Sequence, residues 1–541
     1  MVQMLTKLFT DFKFLLIIVV IAAFLRFFQL GVNPPSLDWD EASLGYNAYS
    51  ILQTGADEYG NKFPTAIRSF GDYKPAAYVY LDIPSVYLFG LNEFGVRFPS
   101  AFFGALTVLV VFFMVRELFG SNKLALLSSF LLAISPWHLQ FSRTAFEANI
   151  GLFFFISAVF IFLKALKNPK FFILSFILFA LTLYSYQSFR LVAPVFVLGL
   201  LIYFRKSLWK KRKIVLISAI LALVVLVPFL KSLLTDLSRF SSVTVLTPTG
   251  TLDSSIKELQ YDKSNNDRLG ELLHNRRIVY SLTVIKGYLD HYDPNFLFVK
   301  GDGVPRHHPV DFGMLYLLEL PFVLLGILNL YTKKGSSKFI VFWWFLIAPV
   351  ASALTTGTPH PVRALAFLPT FQIFSALGIL KFIEQTQRFK FKTAILAVTA
   401  VVFILNIAYY LHQYYVHTPR DVSESWQYGS KELFSYLSKV DKNYDKVVVT
   451  YKYDQPYIFY LFYNKIDPSW YQKHWDYKGD GTVDRMKRVI GKYEFRNIDY
   501  NKDRNIKKAL IIGTPDEIPK EKAIKEIKFL DGSVAFRIAS S

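Results

Sequence analysis

The run Phe14-Leu15-Leu16-Ile17-Ile18-Val19-Val20-Ile21-Ala22-Ala23-Phe24-Leu25-Arg26-Phe27-Phe28-Gln29-Leu30 stops at Asn33-Pro34-Pro35 and gives way to Leu37-Asp38-Trp39-Asp40-Glu41. A membrane helix needs about 20 mostly apolar residues, and this run meets the requirement. Lys7 and Lys13 precede it, a pattern shared by signal peptides and signal anchors. No small-residue cleavage site follows, so the segment is expected to stay as a first span. Asp38, Asp40 and Glu41 at its exit read as an active-site loop at a membrane surface, and Gly71-Asp72-Tyr73-Lys74-Pro75 echoes them before the chain turns apolar again.

The rest of the chain supports a bilayer as its solvent. The 541 residues are 53% hydrophobic and 17% aromatic, too apolar for an ordinary soluble enzyme. Further apolar runs cover Phe98 to Phe119, Leu124 to Gln140, Ile150 to Leu166, Phe171 to Tyr186, Leu191 to Phe204, Ile214 to Lys231, Phe312 to Leu330, Phe339 to Ala353, Ala364 to Phe382 and Thr393 to Leu411, which makes about 11 spans. The net charge of +20 comes from lysines and arginines clustered in short loops between these runs, which is membrane topology and excludes a nucleic-acid footprint. With no cysteine, disulfides, thiolate catalysis and cysteine zinc sites are excluded, although the compartment does not follow from that.

Threading the spans alternately puts Arg116 with Lys123, Lys164 with Lys167 and Lys170, the run Arg205 to Lys213, Lys333 with Lys334 and Lys338, and Arg388 with Lys390 and Lys392 on one side. By the positive-inside rule that side is cytoplasmic. Four features then face outward: the loop 31–97, the turn 142–149, the long loop 232–311 and everything after His412. In the first outer loop, Leu44, Ala48 and Leu52 recur at helical spacing after Asp40-Glu41, with Gly55 as a C-cap. Ala76 to Gly90 is apolar but holds Asp82 and Pro84, so it reads as an interfacial or re-entrant helix. Beyond Tyr415 the composition turns polar and aromatic, with strand-like Lys446 to Tyr451 and Ala509 to Gly513 and a hairpin at Asp531-Gly532. The expected architecture is mainly α: a polytopic membrane domain over 1–414 and a small extracytoplasmic α/β domain over 415–541.

Asp40 is the candidate general base, taking a proton from an attacking hydroxyl, with Asp38 and Glu41 beside it to tune it or hold the acceptor. The bland alternative is a helix N-cap with solvated acids. Lys74, between Tyr73 and Pro75, suits a phosphate leaving group whose charge needs a fixed cation; snorkelling is its alternative. Arg143, Arg190 and Arg363 sit at the outer ends of spans, where they could share that phosphate or serve as interfacial anchors. Asp72, Tyr73, Tyr186, His307, His308 and His360 are candidate substrate contacts. The adjacent His307-His308 pair lacks the helical spacing of a metalloprotease site and no HExxH is present, so a divalent metal has no support. Trp343-Trp344 reads as packing or an aromatic belt.

These residues resemble the GT-C membrane glycosyltransferases that use polyprenyl-phosphate sugars, in particular the protein O-mannosyltransferase and lipid A aminoarabinose transferase group. The resemblance runs from the first span to about Tyr415. It rests on Asp40-Glu41 after span one, Asp72-Tyr73-Lys74-Pro75 before an interfacial helix, Phe94-Gly95-Val96-Arg97-Phe98-Pro99 opening span two, and His360-Pro361-Val362-Arg363 leading to Pro369. It implies transfer with inversion from an undecaprenyl- or dolichyl-phosphate sugar to a hydroxyl of a protein, lipid or cell-surface glycan, at the outer face of what is expected to be a bacterial plasma membrane. It also implies that Asp40 matches the catalytic aspartate and Lys74 the lysine that meets the lipid phosphate. In the aminoarabinose transferases a glutamate precedes that lysine and helps bind a metal; here Tyr73 stands there, so the metal is not carried over and no cofactor is assigned. The WWD-type motif of oligosaccharyltransferases is not found outside the membrane, which argues against en bloc glycan transfer.

A transporter or flippase of lipid-linked sugars is the alternative. It would call for internal repeats and ionisable residues at the bilayer midplane, whereas the charges here gather at the outer ends of spans. An adhesion or sensor module on an anchor would not need so many spans.

Overall fold

The computed structural model describes residues 2–235, 250–475 and 488–541. Part of the expected long outer loop, 236–249, lies outside the described residues. Helix α1 (Val2–Phe27) ends before the Asn33-Pro34-Pro35 break, as a run of apolar residues closed by proline should. Each of the other apolar runs is also helical, but the eleven expected spans are not equal. Among the described residues, six helices are long and apolar enough by themselves to cross a membrane: Glu93–Phe119, Glu147–Lys167, Arg212–Leu230, Ser336–Ala353, Leu365–Thr386 and Lys392–Asp421. A seventh span results if Asn122–Ile134 and Pro136–Ser142 are taken together across their 58° bend. Pro136 causes that bend, because a residue before proline is pushed out of helical backbone and Ser135 sits at ψ 123°.

Phe171–Leu183, Phe189–Tyr203 and Glu319–Thr332 are shorter apolar helices. The last of these begins at Glu319, later than the expected Phe312, because Leu315 N–H is already committed to Leu297 O at 2.7 Å. It packs very closely on Thr370–Thr386. A Cβ on Gly326 would lie 1.8 Å from Phe374 O, and one on Gly378 1.9 Å from Phe322 O, so only glycine permits that approach.

The chain divides into two compact units. One comprises 1–22, 106–138 and 148–407; the other comprises 23–105, 139–147 and 408–541. The first is helical and its core is aromatic, with Trp344 against Phe155 and Phe196, and Trp137 against Phe296 and Phe371. Trp344 is buried and donates to Ala366 O, as the packing reading of that residue requires.

The second unit groups residues 23–105 with the C-terminal region, which were expected in separate domains. Helix α2 (Trp39–Thr54) runs from an Asp38 cap to Gly55 at φ 69°, close to the sequence expectation. A hairpin of β1 (Ala66–Ser69) and β2 (Asp72–Pro75) follows, turning through Phe70 and Gly71, both at positive φ. Helix α3 (Ala77–Phe89) comes next, and its end exposes Tyr87 and Leu88, which suits an interfacial helix. Helix α4 (Glu93–Phe119) supplies Arg97 from its first turns.

The C-terminal region forms a six-stranded mixed sheet. Its strands are β3 (Lys446–Val449), β4 (Arg488–Ile490), β5 (Tyr493–Phe495), β6 (Ala509–Gly513), β7 (Lys525–Lys528) and β8 (Val534–Ser540), in the order β4-β5-β3-β6-β8-β7. Only β3 pairs in parallel on both sides. The helix Pro456–Tyr463 packs on α2, where a Cβ on Gly45 would meet Phe462 Cε2 at 2.8 Å. Burying Phe462 there contributes about 1.5–3 kcal/mol. That apolar contact helps join residues 23–105 and the C-terminal region in one unit.

Asp82 on α3 is fully buried, and neither carboxyl oxygen has a hydrogen-bond partner among the described residues. Burial pushes this carboxyl well above the usual range. The native state therefore keeps a proton that the unfolded chain loses above about pH 4, so stability falls as pH rises beyond that point. Asp82→Leu is expected to raise the thermal midpoint at pH 7 by the equivalent of about 1–3 kcal/mol and to flatten the pH dependence of unfolding between pH 5 and 7. A midpoint that stays put in both respects would show that the carboxyl is solvated.

Candidate active site at the start of α2

The first turn of α2 sorts its three acids by direction. Asp38 is the cap: it is buried, and its Oδ1 accepts from Glu41 N at 2.8 Å. Glu41 closes the box by accepting from Asp38 N at 3.3 Å, which satisfies two backbone donors that the helix leaves open. Its carboxylate is buried and meets Arg97, with Nε to Oε1 at 2.9 Å and Nη2 to Oε2 at 2.8 Å, and Oε1 also accepts from Ala145 N at 2.8 Å. Arg97 spends its remaining donors on Leu30 O, Pro34 O and Ser36 O. The Pro34-Pro35 exit from α1, the start of α2 and α4 are thus fastened at one guanidinium.

Asp40 faces the other way. Its side chain is 40% exposed, and Oδ1 lies 2.5 Å from Lys74 Nζ, whose own side chain is 10% exposed. Strand β2 aims this lysine, pairing Lys74 with Ile67, while Phe70 presents its ring to the ammonium at 5.3 Å. Ser43 Oγ and Ser69 Oγ, 3.0 Å apart, tie the hairpin to α2. The structure therefore brings Asp38, Asp40, Glu41 and Lys74 together. Asp72 and Tyr73 lie on the same strand, with Tyr73 N donating to Asp72 Oδ1 at 2.7 Å.

Arg143 was expected to hold phosphate, but it is buried and its donors are engaged by the protein. Nη1 reaches Leu25 O at 2.7 Å, Nη2 reaches Asn33 O at 2.8 Å, and Nε reaches Tyr414 Oη at 3.0 Å. A guanidinium occupied in this way fastens the end of α1.

The other expected contacts belong to the helical unit. Tyr186 is in the turn between Phe171–Leu183 and Phe189–Tyr203, and Arg190 lies over the Phe229 ring at 4.8 Å. Arg363 donates to Thr355 Oγ1 at 2.7 Å and Thr356 O at 2.8 Å. His307 and His308 both pair with Asp302, at 2.7 and 3.4 Å, and the His307 and His360 rings are 5.1 Å apart. Burial opposes the Asp302 charge, yet the two histidines win and hold its carboxyl below the usual range. Burial lowers His307 despite that partner, and with Arg363 it takes His360 well below. His308 is raised, because Asp302 outweighs its burial. Among the described residues, no three histidines, aspartates or glutamates are grouped to hold a metal ion.

Arg97 and Gln427 carry much of this site, and neither has a role that is legible in the sequence. Arg97 stood inside the Phe94-to-Pro99 motif, whereas Gln427, whose Oε1 accepts from Trp39 N at 3.1 Å, has no local signal.

Residues 74–231 match the family model described as dolichyl-phosphate-mannose-protein mannosyltransferase, a match that begins at Lys74. No curated protein matches the sequence significantly. Among solved structures, ArnT from Cupriavidus metallidurans bound to undecaprenyl phosphate is similar over 97% of both chains, with 11% identity and a TM-score of 0.55. Its apo state is similar over 98% of both chains, with 10% identity and a TM-score of 0.54. The fold is similar to that of ArnT. Archaeal oligosaccharyltransferase AglB from Archaeoglobus fulgidus, in complex with an inhibitory peptide and a dolichol-phosphate, has the same fold at 14% identity and a TM-score of 0.50; the match covers 84% of this chain. The present chain spans 64% of AglB's length, less than two thirds. The fold and the long apolar helices make the protein an integral membrane protein.

Proposed function

We propose that the protein is an inverting glycosyltransferase that moves a sugar from a polyprenyl-phosphate donor to an acceptor hydroxyl at the outer membrane face. The Asp40–Lys74 pair carries this reading: an exposed carboxylate at a helix N-terminus, held against an ammonium that a hairpin keeps largely buried. The acceptor oxygen attacks the anomeric carbon while the carbon–oxygen bond to phosphate breaks. Asp40 takes the hydroxyl proton, and the polyprenyl phosphate leaves with the bonding pair. A phosphate needs no general acid once a cation neutralises it, so one base and one lysine suffice. This differs from glycoside hydrolysis with its two carboxylates. When the donor arrives, Lys74 exchanges Asp40 for the phosphate and frees the base for the acceptor. Asp38 and Glu41 hold the helix start in this mechanism, and Asp72 and Tyr73 hold the strand that carries Lys74.

Support also comes from the relatives, whose structures hold undecaprenyl phosphate and dolichol-phosphate. The test is release of free polyprenyl phosphate by the purified protein, given radiolabelled polyprenyl-phosphate sugars and acceptor. Lys74→Ala is expected to weaken donor binding by about 10- to 100-fold, the worth of a charged hydrogen bond. Unchanged donor affinity would return Lys74 to a purely structural pair with Asp40.

A further inference from the structure

Helix α2 is gripped by the C-terminal region at three levels. At its start, Trp39 N–H donates to Gln427 Oε1 at 3.1 Å. Midway, Tyr46 Oη donates to Ile466 O at 3.0 Å. At its end, Gln472 Nε2 reaches Ser50 Oγ, Thr54 Oγ1 and Asp57 O at 3.1, 2.9 and 2.9 Å.

The first grip bears on chemistry. Trp39 is the first residue of α2, and its N–H is one of the donors for which a helix start offers no internal acceptor. Asp38 serves Glu41 N, and Gln427 serves Trp39 N, so the cap is completed by a residue 388 positions away. Both ends of the Gln427 amide are used, because Nε2 donates to Tyr453 O at 2.7 Å in the loop after β3. That fixes which end of the amide faces Trp39. Gln427 is buried and held at φ 50°, a left-handed backbone that glutamine rarely adopts and that persists only when its surroundings impose it. The preceding Trp426 is also buried and lies 5.9 Å from the Arg97 guanidinium.

We infer that Gln427 is a positioning residue for the transfer reaction and that, through it, the C-terminal domain sets the pitch of the first turn of α2. Asp40 follows Trp39 directly, so a shift at Trp39 N moves the carboxylate relative to Lys74 and to an incoming hydroxyl. Misplacing a base by about 1 Å costs up to about 10²-fold in rate. The inference rests on Asp40 as the base.

The experiment uses the full chain in lipid nanodiscs, as wild type, Gln427→Ala, Gln427→Glu and Asp40→Asn. Hydrogen exchange over residues 38–44 reads the grip without reference to activity. Gln427→Ala is expected to speed exchange there by about tenfold or more and to lower kcat by about 10- to 100-fold, with the donor KM changed less than about twofold. Gln427→Glu keeps an acceptor for Trp39 N but loses the donor to Tyr453 O, so it is expected to restore part of the protection and part of kcat, to values between those of Gln427→Ala and wild type. Faster exchange with unchanged kcat overturns the inference and leaves the functional reading intact. So does a parallel collapse of kcat and donor KM with the thermal midpoint, which marks general unfolding. No turnover by wild type, or full turnover by Asp40→Asn, overturns the functional reading, and this inference falls with it.

Discussion

Asp40→Asn is expected to fold normally, to bind donor, and to transfer sugar about 10²–10⁴-fold more slowly than wild type. The substitution keeps the shape of the side chain and an oxygen that can accept from Lys74, so what it removes is the capacity to take a proton. Little stability goes with it. The carboxylate is 40% exposed, and ion pairs at such positions contribute about 0–1 kcal/mol. Asp38→Asn is the matched control, because asparagine caps a helix about as well as aspartate; activity there is expected to survive. Single-turnover release of polyprenyl phosphate separates the chemical step from product release. Normal turnover by Asp40→Asn would remove the carboxylate from the mechanism, and equal losses in both variants would mean that the first turn matters only as structure.

Much of the membrane fold was readable because a bilayer imposes one length on its helices, and apolar runs of that length stand out in sequence. Helix α2 was readable for a different reason: its signals are local, with carboxylates at the start, four-residue spacing and Gly55 at the end. Strand β6 matched Ala509–Gly513 because an unbroken aliphatic run flanked by charge suits a buried strand. The hairpin that aims Lys74 was not readable. Its strands are four residues each, too short to show alternation, and Phe70-Gly71 lacks the Asn-Gly or Asp-Gly signature of such turns. Arg143 misled because an arginine at a span end looks the same whether it meets a lipid phosphate or backbone carbonyls. The joining of residues 23–105 with the C-terminal region was hidden for the same reason as Gln427, since contacts across hundreds of residues leave no periodic trace.

Arg97→Ala is expected to have the largest effect on stability, about 3–5 kcal/mol, out of a total of about 5–15 for a folded domain. Arg97 has no solvent exposure, and Glu41 is 2% exposed. Deleting the guanidinium leaves a buried carboxylate with only Ala145 N and Asp38 N as donors, and strips Pro34 O and Ser36 O of their partner. Arg97→Lys is expected to rescue little, because a single ammonium cannot reproduce two parallel bonds to the carboxylate and three to carbonyls. The measurements are the thermal midpoint in nanodiscs and the recovery of monodisperse protein after solubilisation; a midpoint within a degree of wild type would mean that water takes over the carboxylate. The paired variant Glu41→Leu with Arg97→Met separates charge from packing. Removing both members of a buried ion pair is often neutral, so this variant is expected to recover the part of the Arg97→Ala loss that comes from the unpaired carboxylate, but not the part that comes from Pro34 O, Ser36 O and the broken capping box. Its activity should stay low even so. With Glu41 gone, the first turn of α2 keeps Gln427 at Trp39 N but loses its anchor to Ala145 and to the exit of α1, and a base held at one point in place of two is free to tilt away from the acceptor.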